Sequence, residues 1–118
     1  MPAPWPDREA VPAAECRVMP DIRREIDRVD RALIRLLAQR LTYIERAGHI
    51  KQDRATVRDE ARINDVLSKV EASCRREDFP FAIAEPVWRR LMDGCIAHEF
   101  DVFDEVKGAP SRAKLAAQ

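Results

Sequence analysis

The sequence predicts an all-α protein, a three-helix chain with one long N-terminal helix. Between Pro20 and Pro80 there is no proline and only one glycine, Gly48, so helices can continue there without a break. Apolar residues in this stretch recur every three or four positions, which places their side chains on one face of a helix. No long segment alternates apolar and polar residues with a period of two, so we expect no sheet.

The two ends of the chain are predicted to lie outside the helical domain. Residues 1–20 hold five of the eight prolines, which favour extended chain over helix, and we expect a poorly ordered leader. Gly108 and Pro110 follow the last apolar stripe and should end it, leaving residues 108–118 as a loose tail. The helical domain is therefore expected to span residues 21–107.

The first helix should run from about Asp21 to Asp53. Asp21 can cap its N-terminus, and Glu25 in the first turn favours the helix dipole. Gly48 weakens this helix or else permits close packing against a neighbour. One face carries an apolar stripe of Ile22, Ile26, Val29, Leu33, Leu37, Ile44 and Ala47.

Two shorter helices should follow. The second is expected to start near Thr56, whose hydroxyl can act as the cap, and to stop within residues 75–78. The third should begin between Phe81 and Pro86 and end near Val106, because a proline is tolerated only in the first turn. The third helix carries its own apolar stripe, formed by Trp88, Leu91, Met92, Cys95, Val102, Phe103 and Val106.

The charge balance excludes several kinds of partner. Lys plus Arg and Asp plus Glu number 21 each, and no run of like charge forms a basic arm, so we expect neither a nucleic acid nor a membrane partner. No stretch approaches the roughly 18 consecutive apolar residues of a membrane span, and the N-terminus lacks the apolar core of a signal peptide. These features predict a cytoplasmic protein.

The cysteines and histidines do not predict a metal site or a disulfide. Cys16, Cys74 and Cys95 are odd in number and lack paired ligand spacing, and the last two lie at apolar-stripe positions. His49 and His98 are far apart in sequence and belong to no HExxH pattern. We therefore expect no metal site and no disulfide.

Three charged residues occupy positions where the helical stripes call for apolar ones. Arg40 and Lys51 continue the stripe of the first helix, and Glu99 lies within that of the third. A lone ion on a buried seam costs several kcal/mol unless it is paired or bound, so these residues are candidates for holding a small anion. The alternative is that the stems of Arg40 and Lys51 follow the seam while their charged heads reach water.

The length of the first helix predicts a homodimer. A helix of about 32 residues is about 48 Å long, whereas a compact domain of this size is roughly 35 Å across. Pairing two such helices would cover the overhanging apolar stripe. Arg40 and Lys51, about 16 Å apart along the helix, could lean toward one ligand, but Arg23 lies about 25 Å before Arg40 and could join them only from a partner chain.

The segment IRREIDRVDRALIRLLAQR, followed by Lys51 and then by VRDEARI, resembles the all-helical AroQ-class chorismate mutases and the related isochorismate-pyruvate lyases. The resemblance covers about residues 21–106. It implies an intertwined homodimer of three-helix chains with composite active sites. It also implies an isomerase that rearranges chorismate, a small dicarboxylate, to prephenate in the shikimate pathway of aromatic amino acid biosynthesis, without a cofactor.

The resemblance also assigns roles to individual residues. Arg23 of the partner chain and Arg40 would clamp the two carboxylates of the substrate. Lys51 would donate a hydrogen bond to the ether oxygen of the bond that breaks. Asp59 and Arg62 would lie along the side of the ring hydroxyl.

Three positions differ from the usual family pattern. Glu99 stands where many members have a Gln that also donates to the ether oxygen, and a carboxyl group can donate only when protonated. Cys95 stands where some have Ser. Ile63 replaces a Glu that contacts the ring hydroxyl, which is reminiscent of the lyases that convert isochorismate to salicylate and pyruvate, although Ile63 also suits plain core packing.

Three functions therefore remain open from the sequence. The main prediction is a chorismate mutase, and the first alternative is an isochorismate-pyruvate lyase. The second alternative is a helical dimerisation or regulatory module without catalytic activity.

Overall fold

The computed structural model describes residues 10–108, and all regular structure among them is helical. The three helices are α1 (Met19–Ile50), α2 (Glu60–Glu77) and α3 (Phe81–Val106), with short 3-10 turns at Ala13–Glu15 and Arg54–Thr56. The predicted all-α class is confirmed. Expectations for residues 1–9 and 109–118 lie outside the described residues.

The chain divides into two compact units, Met1–Thr42 and Tyr43–Gln118, and α1 contributes to both. Within the described residues, no helix is long and apolar enough to cross a bilayer.

The ends of α1 differ from the prediction. The helix begins at Met19, with Pro20 in its first turn where the missing N–H is tolerated, so Asp21 is not the N-cap. The Asp21 carboxylate instead accepts a hydrogen bond from the Arg17 N–H at 3.2 Å. The helix ends at Ile50, which places Lys51 directly after it, with its N–H still bonded to the Ala47 carbonyl at 3.0 Å.

In the first unit, the predicted apolar stripe of α1 is largely exposed. Ile26, Val29 and Leu33 keep 44–52% of their surface accessible, while the neighbouring Ala32 is buried. The residues before α1 contact it at Glu25, whose Oε1 accepts the Val11 N–H at 3.0 Å. The single chain therefore leaves an apolar face of α1 in contact with solvent.

The N-cap residue of α2 was predicted incorrectly. Asp59, and not Thr56, is the N-cap, and its side chain accepts the Arg62 N–H at 3.2 Å. The Thr56 hydroxyl donates instead to the Asp53 carbonyl at 2.6 Å, within the preceding 3-10 turn. Asp59 competes well for the cap because a carboxylate accepts from the free N–H groups of the first turn and favours the positive end of the dipole.

The connection between α2 and α3 matches the predicted boundaries. Asp78 ends α2 in the left-handed region at φ 53, and its N–H bonds to the Cys74 carbonyl. Pro80 is the N-cap of α3, which places Pro86 in the second turn and not in the first, contrary to the expectation. The helix continues past Pro86 at the loss of one backbone bond, because its following turns pack into the core.

The core of the second unit lies mainly between α2 and α3. Its buried apolar members are Val57, Leu67, Cys74, Ala84, Met92 and Phe103. On α3, Met92 and Phe103 of the predicted stripe are buried as expected, while Val106 at its end is exposed. The same face of α3 buries Glu99, so this core places a carboxylate beside the end of α1.

Candidate active site

Lys51 and Glu99 meet at the end of α1. The Lys51 ammonium nitrogen lies 2.7 Å from Glu99 Oε2, and the two side chains are 28% and 5% exposed. The helix end provides Lys51, while the buried stripe of α3 holds Glu99 in place. The two ions that were predicted on separate seams are thus brought together.

The contact is an ion pair without good hydrogen-bond angles. Glu99 Oε2 is buried and has no hydrogen-bond partner, although the ammonium is within 2.7 Å of it. The ammonium nevertheless attracts the carboxylate strongly at this distance, because Coulomb attraction does not depend on angle. The ammonium has one further described contact, a weak 3.5 Å bond to the Val57 carbonyl, so it keeps the capacity to donate to a ligand acceptor.

Gly48 allows α1 to approach α3 at this point. A Cβ at Gly48 would lie 3.1 Å from Val102 Cγ1 and 3.4 Å from the Glu99 carbonyl oxygen. The first distance is shorter than ordinary van der Waals contact, so a larger residue would push against α3. The alternative that Gly48 permits close packing is therefore confirmed.

The turn between α1 and α2 is bound to α3 by Arg54. Its guanidinium donates to both carboxylate oxygens of Asp104, at 2.9 and 3.2 Å, and lies 4.5 Å from the centre of the Phe100 ring. The hydrogen bonds from Arg54 hold the pKa of Asp104 below its usual range. The sequence analysis missed this contact, because its two ends are 50 positions apart and no periodicity links them.

Asp59 and Arg62 lie together at the start of α2. The backbone N–H of Arg62 bonds to Asp59, while its guanidinium donates to Asp65 at 2.6 Å. Lys69 and Arg62 both donate to Asp65 and lower its pKa. Arg62 is exposed, so its guanidinium can leave Asp65 for a ligand at small cost.

The other predicted site residues are distributed over both units. Ile63 and Cys95 are half-buried in the second unit. Arg23 is exposed and Arg40 is half-buried in the first unit. Lys51 and Glu99 contact each other directly through their side chains, and Asp59 and Arg62 are joined through the cap.

A second contact that the sequence analysis missed joins α1 and α3. His98 Nε2 lies 2.7 Å from Glu45 Oε2, and both side chains are 42% exposed. A histidine next to Glu99 on α3 gave no recognisable signal, because its partner is 53 positions away. Among residues 10–108, no group of three or more His, Cys, Asp and Glu could hold a metal ion.

Comparison with known proteins identifies the family. The chorismate mutase type II family matches residues 22–100, which include Arg23, Arg40, Lys51 and Glu99. This chain belongs to the type II chorismate mutase family. It is similar to an isochorismate pyruvate lyase of Pseudomonas aeruginosa, with 22% identity over 95 residues, covering 80% of this chain and 94% of the lyase. No solved structure matches the chain significantly.

Membership of the type II chorismate mutase family implies an enzyme of the mutase and lyase kind. Substrates of such enzymes are small molecules. The zero net charge of the chain agrees with this, because it favours a local site over an extended charged surface. The Lys51 and Glu99 pair lies inside the matched region, and so does the turn held by Arg54.

Proposed function

We propose that this protein is a chorismate mutase, which rearranges chorismate to prephenate. The observation that carries the proposal is the Lys51 ammonium, held 2.7 Å from a buried carboxylate within the region that matches the family. A cation in this setting can stabilise negative charge that develops on an ether oxygen. Its surroundings exclude much of the water that would weaken the interaction.

The reaction requires little of the protein beyond orientation and electrostatics. The rearrangement is one concerted pericyclic step, in which the ether bond breaks while a carbon–carbon bond forms, without a covalent intermediate or proton transfer. The protein selects the compact conformer and stabilises charge on the oxygen. This accounts for a site made of cations and hydrogen-bond donors rather than a nucleophile and a base.

Two arginines are proposed to select that conformer. Arg40 of one chain and Arg23 of the partner would each bind one substrate carboxylate through two parallel hydrogen bonds, the geometry for which a guanidinium is suited. The proposal requires a homodimer with composite sites. It is supported by the exposed apolar face of α1, where Ile26, Val29 and Leu33 remain accessible in the single chain.

At the second helix, Asp59 and Arg62 are proposed to face the ring hydroxyl. Arg62 would leave Asp65 to reach the substrate, and Asp59 would keep the first turn of α2 in place through its cap. Ile63 and Cys95 would line the same pocket. Because neither carries a charge, they would contribute shape rather than electrostatic stabilisation.

A second candidate function is an isochorismate-pyruvate lyase. It is favoured by the similarity to the Pseudomonas aeruginosa lyase and by Ile63, which stands where typical mutases have a Glu. An apolar residue cannot accept a hydrogen bond from the ring hydroxyl of chorismate, and isochorismate carries that hydroxyl elsewhere. Ile63 is half-buried, so packing against the core explains it equally well.

The experiment that tests the proposal offers purified protein each substrate separately. Prephenate formed from chorismate and pyruvate formed from isochorismate are followed over the same range of enzyme concentration. We expect prephenate at a rate proportional to enzyme and far above the uncatalysed rate, with little pyruvate. The Lys51→Met variant, measured beside it, shows that the activity belongs to this site and not to a contaminant.

The opposite pattern, rapid pyruvate formation with slow prephenate formation, would assign the lyase function instead. Absence of both products at high enzyme concentration would indicate the non-catalytic helical module. Each outcome therefore selects one of the three functions that the sequence left open.

A further inference from the structure

Two hydrogen bonds between one arginine and one carboxylate attach the turn after α1 to α3. Arg54 Nε and Nη2 lie 2.9 and 3.2 Å from the two carboxylate oxygens of Asp104. The same guanidinium stacks on Phe100, at 4.5 Å from the ring centre. Bidentate binding together with stacking is specific to arginine, because a lysine ammonium can do neither in the same way.

The turn that Arg54 belongs to also contacts Lys51. The Thr56 and Val57 N–H groups bond to the carbonyls of Asp53 and Arg54 at 3.0 and 3.2 Å, so the turn is closed by its own backbone. Val57 is buried, and its carbonyl lies 3.5 Å from the Lys51 ammonium. A displacement of the turn would therefore move an acceptor that contacts Lys51.

The attachment points for Lys51 and for the turn are neighbours on α3. Glu99 binds Lys51, and Phe100, the next residue, stacks on Arg54. Asp104 lies about one turn further along the same helix and is 13% exposed as a side chain. The position of the Lys51 ammonium is thus constrained from α3 twice, directly through Glu99 and indirectly through Arg54 and the turn.

We propose that Arg54 is a positioning residue: by binding Asp104 and Phe100 it holds the turn that carries Val57 and keeps the Lys51 ammonium where it acts on the substrate. This inference rests on the proposed function, since it assumes that Lys51 donates to the substrate. Arg54 acts through the turn and does not itself contact the reacting atoms.

The rival explanation is an ordinary surface ion pair. Arg54 is 58% exposed as a side chain, and exposed pairs contribute little to stability. Breaking an ordinary surface ion pair would change neither the turnover number nor the mobility of the turn. The two explanations therefore differ in what they predict for catalysis and for hydrogen exchange.

We call the Arg54–Asp104 pair the latch. The test compares two latch variants, Arg54→Gln and Asp104→Asn, with a matched control, Arg89→Gln. Arg89 is also an exposed arginine, 56% accessible, and binds Glu85 on its own helix at 3.1 Å. We expect both latch variants to lower kcat by about tenfold while KM changes by less than about threefold, because a misplaced donor loses transition-state stabilisation rather than substrate binding. The control should match the wild type in both parameters.

Rescue variants separate the latch from a general effect of mutation. Arg54→Lys should recover only part of kcat, because it restores the charge without the two-pronged contact. The double variant Arg54→Asp with Asp104→Arg should exceed both single replacements, Arg54→Asp and Asp104→Arg, in kcat. If the double variant is no better than the better single replacement, the two side chains do not act as a pair and the proposal is wrong.

Amide hydrogen exchange provides a readout that does not depend on turnover. In Arg54→Gln the N–H groups of Thr56 and Val57 should exchange at least about tenfold faster than in the wild type, while Arg89→Gln leaves them unchanged. Unchanged exchange and unchanged kcat in both latch variants would overturn the inference. A wild-type enzyme that is inactive on both substrates would instead refute the proposed function.

Discussion

At the scale of single residues, the buried carboxylate of Glu99 requires an explanation. Removing an ion from water costs several kcal/mol, and a protein that needed only stability could place an apolar residue there. Glu99 is 4% exposed and lies against Lys51, which is directly after a helix end and retains partial access to solvent. A paired ammonium that still reaches solvent is suited to meet a small anionic ligand.

Replacing Lys51 tests this role. Lys51→Met should lower kcat/KM by at least about a hundredfold, about 2.7 kcal/mol of transition-state stabilisation. It should also lower stability, because Glu99 is then buried without its cation. The exposed Lys69→Met is the control, since Lys69 binds only Asp65 among the described contacts.

The double replacement Lys51→Met with Glu99→Leu separates catalysis from folding. It removes both ions, so thermal stability should return to at least the wild-type value while activity stays low. Recovery of activity together with stability would mean that the pair has only a structural role.

Glu99 is predicted to tolerate an amide better than an apolar side chain. Gln has the same shape and can donate to an ether oxygen, so Glu99→Gln should retain activity within about tenfold of the wild type near neutral pH. Glu99→Leu should lose much more. Steady-state kinetics at pH 7 compares them, and equal losses in the two variants would show that the carboxylate is needed in its ionised form.

At the scale of helices, the approach of α1 to α3 at Gly48 sets the position of this pair. The site forms where the last turn of α1 passes Glu99 and Val102. A Cβ at Gly48 would lie only 3.1 Å from Val102 Cγ1, closer than ordinary van der Waals contact. A displacement here should shift Lys51, three positions after Gly48, and Glu99, whose backbone carbonyl faces Gly48. Packing at Gly48 should therefore affect catalysis more than stability.

The substitution Gly48→Ala tests this. Alanine favours the helix by up to about 1 kcal/mol, but its Cβ must displace Val102 by a few tenths of an ångström, so the net change in stability should be small. We expect kcat/KM to fall about threefold to tenfold and Val102→Ala in the same chain to restore it. A more stable Gly48→Ala enzyme with full activity would show that the helices separate without consequence.

The sequence predicted the helices well because their signals are local. Proline-free stretches and three-four periodicity both act within a few residues. The N-cap of α2 was misplaced because Thr56 and Asp59 are both good caps, and only the path of the turn decides between them. Pro86 lies inside α3 because tertiary packing outweighs its local cost.

The site was predicted in part for the same reason. Lys51 and Glu99 were identified separately from the apolar stripes they interrupt, but their 2.7 Å contact depends on how two helices pack. The contacts of Arg54 with Asp104 and of His98 with Glu45 join residues about 50 positions apart, and no local pattern reports them. The roles of Arg23 and Arg40 stay predictions.

At the scale of the whole molecule, two carboxyl groups with lowered pKa values predict how the free energy of unfolding changes with pH. The Val11 N–H and Arg28 lower the pKa of Glu25, and Arg54 lowers that of Asp104. A carboxyl whose pKa is lower in the folded state stabilises the protein above its unfolded pKa, about 4. That contribution is lost as pH falls through the lowered folded value.

Urea unfolding from pH 7 to 2.5 measures this dependence. Stability attributable to these groups should be constant down to about pH 5 and fall below about pH 4. Asp104→Asn should be less stable at neutral pH and should show a smaller decline in acid. An acid decline identical to that of the wild type would show that Asp104 does not contribute.

The whole molecule is proposed to be a homodimer with composite sites. Arg23 and Arg40 can act on one substrate only if they come from different chains, and the exposed apolar face of α1 is the surface on which the chains would pair. Catalysis and assembly are then inseparable: a single amino-acid change in one chain should inactivate a site that belongs mainly to the other.

Complementation between two inactive variants tests whether two chains share each site. Arg23→Ala and Arg40→Ala chains are unfolded, mixed in equal amounts and refolded, with mass spectrometry confirming mixed dimers. Random pairing makes half of the dimers mixed, each with one intact site, so about a quarter of wild-type mutase activity should return. A mixture that stays as inactive as its parents, despite proven exchange, would contradict the composite site.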